Sequence, residues 1–433
     1  MDLSISHKSQ LRNDMGFVLL PFRAEQRVAV FVSRINVFYP RFIRRLIFLV
    51  RGGIKLMIAE VISTIGQGLL PQDNLIGWIF QLLWIVFFVV FMFYGQRIQT
   101  KIALNEIEGS LFKLKIIKDR GREIAIATIK ELGKPTEDPT ARVDRILEHV
   151  DIEPVTLDPV GIMKRLEHII DVRDFRFKDE VKRMAPQCDE AQINNLTNVL
   201  EAALDLNQLY KIVRHYYLSG KKTLSFYIIL QLQMILPQVM KEAEAYAGAL
   251  RTFTLGQPIG DGVGALVAGK MMYGKEKREI AKDTVLSEVP MDGRTAYVLK
   301  AKGPGGNVGK PGEAIKQVLE EKEGKVAMII LIDAAQKLEG EKIGEVIEGI
   351  GVAIGGPGVD KYKVEEVAAK YKVPLNAILI KEDLVDVVCT MRKEIFESVD
   401  PAIERIKRLI HENTKEGDSI IVAGVGNTMG IAQ

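Results

Sequence analysis

Cysteine is nearly absent: Cys188 and Cys389 are the whole complement, far apart and without a partner at metal or redox spacing, which excludes a disulfide scaffold and suits a reducing cytosol. Histidine is almost as scarce, with five residues scattered through 433, so the usual zinc ligand sets are excluded. No Ser/His/Asp, Cys/His or H-E-x-x-H arrangement occurs. A basic stripe is missing too. The net charge is only +3, and ten Lys or Arg in residues 1–56 stand against Asp2, Asp14 and Glu25 alone. The rest of the chain is therefore mildly acidic and offers no electrostatic case for a nucleic-acid partner.

What the chain does have is one long apolar run. Residues 75–94, LIGWIFQLLWIVFFVVFMFY, hold no charge and one amide, Gln81. At about 1.5 Å per residue a helix of this length spans a hydrocarbon core of about 30 Å, so a single transmembrane helix is expected. Arg97, Lys101, Lys113 and Lys115 come after it, which places the C-terminal body in the cytoplasm by the positive-inside bias. Residues 1–56 disagree with that orientation, because Arg41, Arg44, Arg45, Arg51 and Lys55 then lie across the membrane. They also prefer Arg over Lys, eight to two, unlike the remainder of the chain. The expectation is a misplaced start, with Met57 the true first residue; the rival is a basic arm bound at the membrane interface.

Beyond the anchor (57–95), residues 96–134 place Ile98, Ile102, Leu111, Leu114, Ile117, Ile124 and Leu132 at helical spacing, which predicts an amphipathic stalk helix. The stripe needs a cover, from the chain itself or from a second copy, so a homo-oligomer is expected. GKPTEDP (133–139) reads as a linker, and 140–280 as a helical domain. Within it TLSFYIILQLQMILP (223–237) is apolar on nearly every face and is expected to be buried rather than to span the membrane a second time. LGQPIGDGVGALVAGKMM (255–272) reads either as a close-packing small-residue face or as a helix start, capped by Asp261, that receives an anion.

From residue 283 the period changes. DTVLSEV, TAYVLKA, KVAMIILID, GVAIGG, NAILIK and SIIVAGVG read as strands, most of them separated by helices over 312–323, 361–371 and 383–415. That alternation predicts an α/β domain over 283–433, with a mainly parallel sheet covered by helices on both faces. The first two strands should pair as a hairpin across PMDGRT. Ligands of such sheets bind beyond the carboxyl ends of the strands. Three glycine segments fall there. Gly303, Gly305, Gly306, Asn307, Gly309 and Lys310 form the first; Gly355, Gly356 and Gly358 the second; Gly424, Gly426, Asn427 and Thr428 the third. Glycines let backbone amides approach a phosphate, so these residues are the candidate ligand-binding set. None is a known motif. Pro304 and Pro311 break the Walker A pattern, and the last segment leaves no room for a helix before Gln433. Asp333 is the candidate catalytic or metal-binding carboxylate, with Asp360 and Asp383 as companions; its bland role is to cap the following turn.

On GQPIGDGVGALVAG, KGPGGNVGKPG, DAAQKLEGEK, AIGGPGVDKYKVEE and VAGVGNTMGIAQ the chain resembles an archaeal membrane-protein family known only as a domain of unknown function, over about 57–433. The resemblance implies an archaeal source and a membrane-anchored cytosolic body, and nothing about activity. The functional expectation is a binding or sensory module whose α/β head takes a phosphorylated small molecule or nucleotide. The alternatives are a phosphoryl-transfer or phosphoester enzyme, the one case that calls for a divalent metal, and a structural homo-oligomer.

Overall fold

The computed structural model describes residues 75–150, 152, 154 and 161–433; the extension 1–56 and the candidate start at Met57 lie outside the described residues. The described chain divides into two compact units, one of 114–207 with 240–433 and one of 75–113 with 208–239.

The longest element, α1 (Leu75–Thr128), is one uninterrupted helix without proline, ended by a π-helical turn over Ile129–Gly133. The anchor and stalk expected from the sequence are thus parts of a single helix. Among the described residues no helix is long and apolar enough to cross a membrane. The side chains of 75–77, 80, 81 and 91–93 lie outside the description and interrupt the apolar run. Further along α1, Thr100, Ala103, Leu104 and Ile107 are buried while Ile98 and Ile102 stay exposed, so only one face of the stalk is covered.

Four more helices come next: α2 (Thr140–Leu147), α3 (Ile162–Met184), α4 (Glu190–Thr223) and α5 (Phe226–Leu255). α4 and α5 form a hairpin turning at Leu224 and Ser225. In the 75–113 and 208–239 unit, the Tyr217 hydroxyl donates to Glu108 (2.7 Å) and the Gln233 amide to Glu106 (2.6 Å), tying both arms to α1. The segment 223–237 is not buried all round, as its composition suggested. Ile229, Leu232 and Leu236 face inward, whereas Leu224, Phe226, Tyr227, Leu230 and Met234 are exposed, because a helix packed along one side covers only one stripe.

The α/β head begins with a 3-10 turn over Gly260–Gly262 and α6 (Val263–Met271). Its strands are β1 (Arg278–Ala281), β2 (Thr284–Met291), β3 (Arg294–Ala301), β4 (Met328–Gln336), β5 (Val346–Ile350), β6 (Leu375–Glu382) and β7 (Ser419–Gly424). They form one sheet in the order β1-β2-β3-β7-β4-β6-β5. β3, β7, β4 and β6 run parallel, while β1, β2 and β5 are antiparallel additions at the edges. The β2–β3 hairpin turns at Asp292 and Gly293, both with positive φ as a two-residue turn of this hand requires.

Helices α7 (Pro311–Glu321) and α8 (Val359–Tyr371) cover one face; α6 and α11 (Val399–Asn413) cover the other. Alternation along β4 feeds both layers. Ile329 and Leu331 join Ile315, Val318 and Val364, whereas Ile330 and Ile332 join Val267, Ala402 and Ile406. GVAIGG is not a strand: β5 precedes it, pairs antiparallel with β6 and stops before Gly351, whose φ of +113° leaves the extended region. The single helix expected over 383–415 is broken into α9 (Leu384–Val388), α10 (Lys393–Glu397) and α11, because the chain between the first two turns aside to bridge Thr390 to Ile259.

Candidate functional site

The four parallel strands end on one rim. The loop after β3, which holds the first glycine segment, arrives there with its polar groups engaged. Gly306 donates its N–H to Asn195 Oδ1 (2.8 Å) and accepts from Asn198 Nδ2 (2.9 Å) at its carbonyl. Gly309 donates to Asn307 Oδ1 (2.6 Å), and Lys310 donates its backbone N–H to Thr284 Oγ1 (2.8 Å). The Lys310 ammonium pairs with Asp171 (2.6 Å). Gly303 and Gly305 are close-approach positions, where a Cβ would strike the Ile431 carbonyl and the Ala191 backbone.

The segment after β7 closes over this loop. Thr428 donates its N–H to the Asn307 carbonyl and Gly430 to the Pro304 carbonyl, both at 2.9 Å. The Thr428 hydroxyl, fully buried, lies within reach of the Gly305 (2.9 Å) and Asn307 (3.0 Å) carbonyls. Asn427 accepts the Met429 N–H at Oδ1 (2.9 Å). Gly424 and Gly426 lie against α6 and the 3-10 turn, since a Cβ on either would meet the Gly264 or the Asp261 carbonyl. Gly355, Gly356 and Gly358 lead into α8, whose Asp360 accepts the Gly312 N–H (3.0 Å) at the start of α7. Asp360 is thus a cap for the neighbouring helix, and Asp383 pairs with Lys241 (2.8 Å); neither joins Asp333.

Asp333 has other company. It sits within β4, three residues short of the strand's end at Gln336. Asp261 comes from the 3-10 turn, Glu382 is the last residue of β6, and Asp386 belongs to α9. Their exposures are 1% for Asp333, 5% for Asp261, 0% for Glu382 and 7% for Asp386. Two anchoring bonds hold the group: Asn427 N–H to Asp261 Oδ2 and Ala334 N–H to Asp333 Oδ1, both 2.8 Å. Asp261 therefore does not cap α6. Among the described residues Asp261 Oδ1, Asp333 Oδ2, Asp386 Oδ2 and both Glu382 oxygens have no hydrogen-bond partner. Gly260 belongs here, because a Cβ would collide with the Glu382 carboxylate and the Asp386 carbonyl.

Burial dominates the electrostatics. It lifts the Asp261 carboxyl to about 6, partly opposed by the Asn427 N–H. It lifts Asp333 well above the usual carboxylate range, helped by the charge of Asp261, and Glu382 likewise, helped by Asp261 and Asp386. Asp386 is also raised by burial, against the pull of Arg392, whose guanidinium is 3.7 Å away. Four such groups cannot all be ionised side by side, so protons, the Arg392 guanidinium or a bound cation must offset part of their charge. Among the described residues no three His, Cys, Asp or Glu side chains are placed to close on one metal ion. Magnesium does not need three, since it is commonly held by one or two carboxylates, waters and the phosphate oxygens of a ligand.

Two further features carry no signal in the sequence. Lys300, 1% exposed near the end of β3, donates to the Ala301 carbonyl (3.0 Å), and burial pulls its ammonium down to about 8. A cavity of about 180 Å³ lies among Leu132, Gln192, Asn195, Phe253, Thr254 and Gly256. No Lys or Arg lines it, so it lacks the charge that a phosphate calls for.

Residues 81–256 match the family model described as "Protein of unknown function (DUF1512) N-terminal domain", and residues 259–432 match "Domain of unknown function (DUF1512) C-terminal". No curated protein and no solved structure matches the chain. The gap between the two matches falls just ahead of the 3-10 turn, so Asp261, Asp333, Glu382 and Asp386 all lie in the C-terminal match.

Proposed function

The chain belongs to the DUF1512 family, and we propose that it is a single-pass membrane protein whose cytoplasmic α/β head binds a phosphorylated small molecule or nucleotide at its strand-end rim. One observation carries the anchor. On α1, Trp78, Ile79 and residues 82–90 are each between 43% and 68% exposed. A helix this apolar on every side, with none of these side chains covered, is stable in lipid and not in water. The basic residues Arg97, Lys101, Lys113 and Lys115 on its C-terminal side support a cytoplasmic head. Labelling tests the anchor: Phe88→Cys in intact membranes should resist a water-soluble maleimide, and rapid labelling refutes it.

For the head, the loop amides named above already have acceptors, so a ligand's phosphate has better purchase through a divalent cation on the unpaired carboxylates. The expected result is thermal stabilisation of the full-length protein in detergent by Mg²⁺ with ADP, and none in Glu382→Gln. Equal stabilisation of both proteins refutes this placement. A second reading, a metal-dependent phosphoryl-transfer or phosphoester enzyme, is favoured by Asp333 Oδ2, which has no hydrogen-bond partner among the described residues and feels the charges of Asp261 and Glu382. Under it, Mg²⁺-dependent hydrolysis of p-nitrophenyl phosphate is lost in Asp333→Asn. A third, self-association of the stalk, is favoured by the exposed Ile98, Ile102, Phe112 and Ile116 on α1, and a monomer in detergent sizing removes it.

A further inference from the structure

We infer that the turn between α4 and α5 rests on the headgroup layer of an anionic bilayer, as a second membrane contact beside the α1 anchor. The inference rests on the anchor reading and adds to it a specific surface and lipid class.

The placement follows from packing along the helices. Gly121 of α1 faces Leu206 of α4, and nearer the start of α1 Glu108 meets Tyr217. α4 therefore runs antiparallel to α1, and its end points back toward the apolar run. α5 returns alongside, with Gln233 at Glu106. Tyr217 and Gln233 are thus nearly level, and the turn projects beyond them by about six or seven residues of helix, roughly 10 Å at 1.5 Å per residue. That brings Leu224 level with about residues 97–101 of α1, immediately past the end of the apolar run at Tyr94.

The surface there suits such a site. Leu224 (70% exposed), Tyr227 (49%), Phe226 and Leu230 cluster at the tip, a combination of aliphatic and aromatic groups that favours the boundary between acyl chains and headgroups. The charge is of one sign. Residues 75–105 and 206–241 contain no Asp or Glu, while Arg97, Lys101 and Lys222 flank the tip and Lys221, one turn back, rests its ammonium on the Tyr217 hydroxyl (3.0 Å). A basic, acid-free collar just outside a membrane span attracts anionic headgroups. An apolar tip meant for protein packing needs no such exclusion of acidic residues.

The test uses the full-length chain with Cys188→Ser and Cys389→Ala, spin-labelled singly at Leu224→Cys, at Phe88→Cys, or at the exposed control Lys325→Cys. Each is placed in nanodiscs of phosphatidylcholine alone or mixed with phosphatidylglycerol. The readout is the ratio of collisions with oxygen to collisions with a water-soluble nickel complex. At position 224 in anionic discs the ratio should stand several-fold above that of the control, and it should fall toward the control when Lys221→Glu and Lys222→Glu are combined. A 224 label as wet as the control, with the 88 label in lipid, overturns this inference and leaves the anchor standing. Equal immersion in neutral and anionic discs overturns it as well. An 88 label in water overturns the anchor and this inference together.

Discussion

The glycine loops after β3 and β7 and the carboxylates within β4 and at the end of β6 belong to one sheet, yet their polar atoms are treated in opposite ways. In the loops the N–H groups of Gly306, Gly309, Lys310, Gly312, Thr428 and Gly430 all have acceptors within the chain. In the acidic group five carboxylate oxygens have no hydrogen-bond partner among the described residues. Glycines of these loops serve close packing, since a Cβ at Gly303, Gly305 or Gly424 would strike backbone of Ile431, Ala191 or Gly264; in α6 a Cβ at Gly264 would strike the carbonyls of Ile332 and Val425, so α6 lies against β4 and β7 with nothing between the backbones. Glycine-rich loops at strand ends are thus a signal of contact, and whether the contact is with a ligand or with the chain itself is decided by where the amides point.

Breaking the packed side should have the largest effect. Gly264→Val drives a side chain into two strands and is expected to cost about 4 kcal/mol or more, read as loss of the head's cooperative unfolding transition. The acidic side should respond with the opposite sign. An acid held above its unfolded value stabilises the fold while protonated; that contribution is whole below the ordinary carboxyl range and is lost as pH rises through the folded value. For Asp261, raised from 3.8 to about 6, the loss between those two pH values is on the order of 3 kcal/mol. In chelator, the urea stability of the native protein should fall over that interval, and Asp261→Asn should flatten this part of the slope. Addition of Mg²⁺ at pH 7.5 sharpens the contrast if it restores stability to the native protein only.

Lys300 is the cationic counterpart. Its ammonium is held low, so the fold gains stability as pH climbs from about 8 toward the ordinary lysine range. Lys300→Met should therefore stabilise by on the order of 2 kcal/mol at pH 7, with the gain vanishing near pH 10.5. Least affected is a single loop bond. Thr428→Val removes one buried hydroxyl and leaves the Gly305 and Asn307 carbonyls less satisfied, a cost of about 1–2 kcal/mol by thermal denaturation.

Much of the head is legible from periodicity. β2, β3, β4, β6 and β7 lie where the continuous apolar runs are, and Asp292–Gly293 turns the hairpin that its residues announce. Strands at the sheet margin are not legible in this way. β5 (VIEGI) carries a charge and a glycine because an edge strand is only half buried, and β1 is too short to show a period. Asp333 stands out because it follows an unbroken apolar run within β4, but its companions do not. Asp360 and Asp383, expected beside it, are engaged with Gly312 and Lys241. Asp261, Glu382 and Asp386 come from a turn, a strand end and a short helix whose nearness follows from the fold, not from spacing.

Local period and the cost of exposing apolar groups are written in the order of residues, and they account for an α/β head, a long helix beginning in an uncharged run, and a helical segment between them. Which polar atoms find partners emerges in the folded chain alone, since it depends on which backbone reaches which side chain across tens or hundreds of residues. The same holds for 223–237. Its composition is apolar throughout, but one stripe packs inward and the other faces outward, because α1 offers a single side against which to pack.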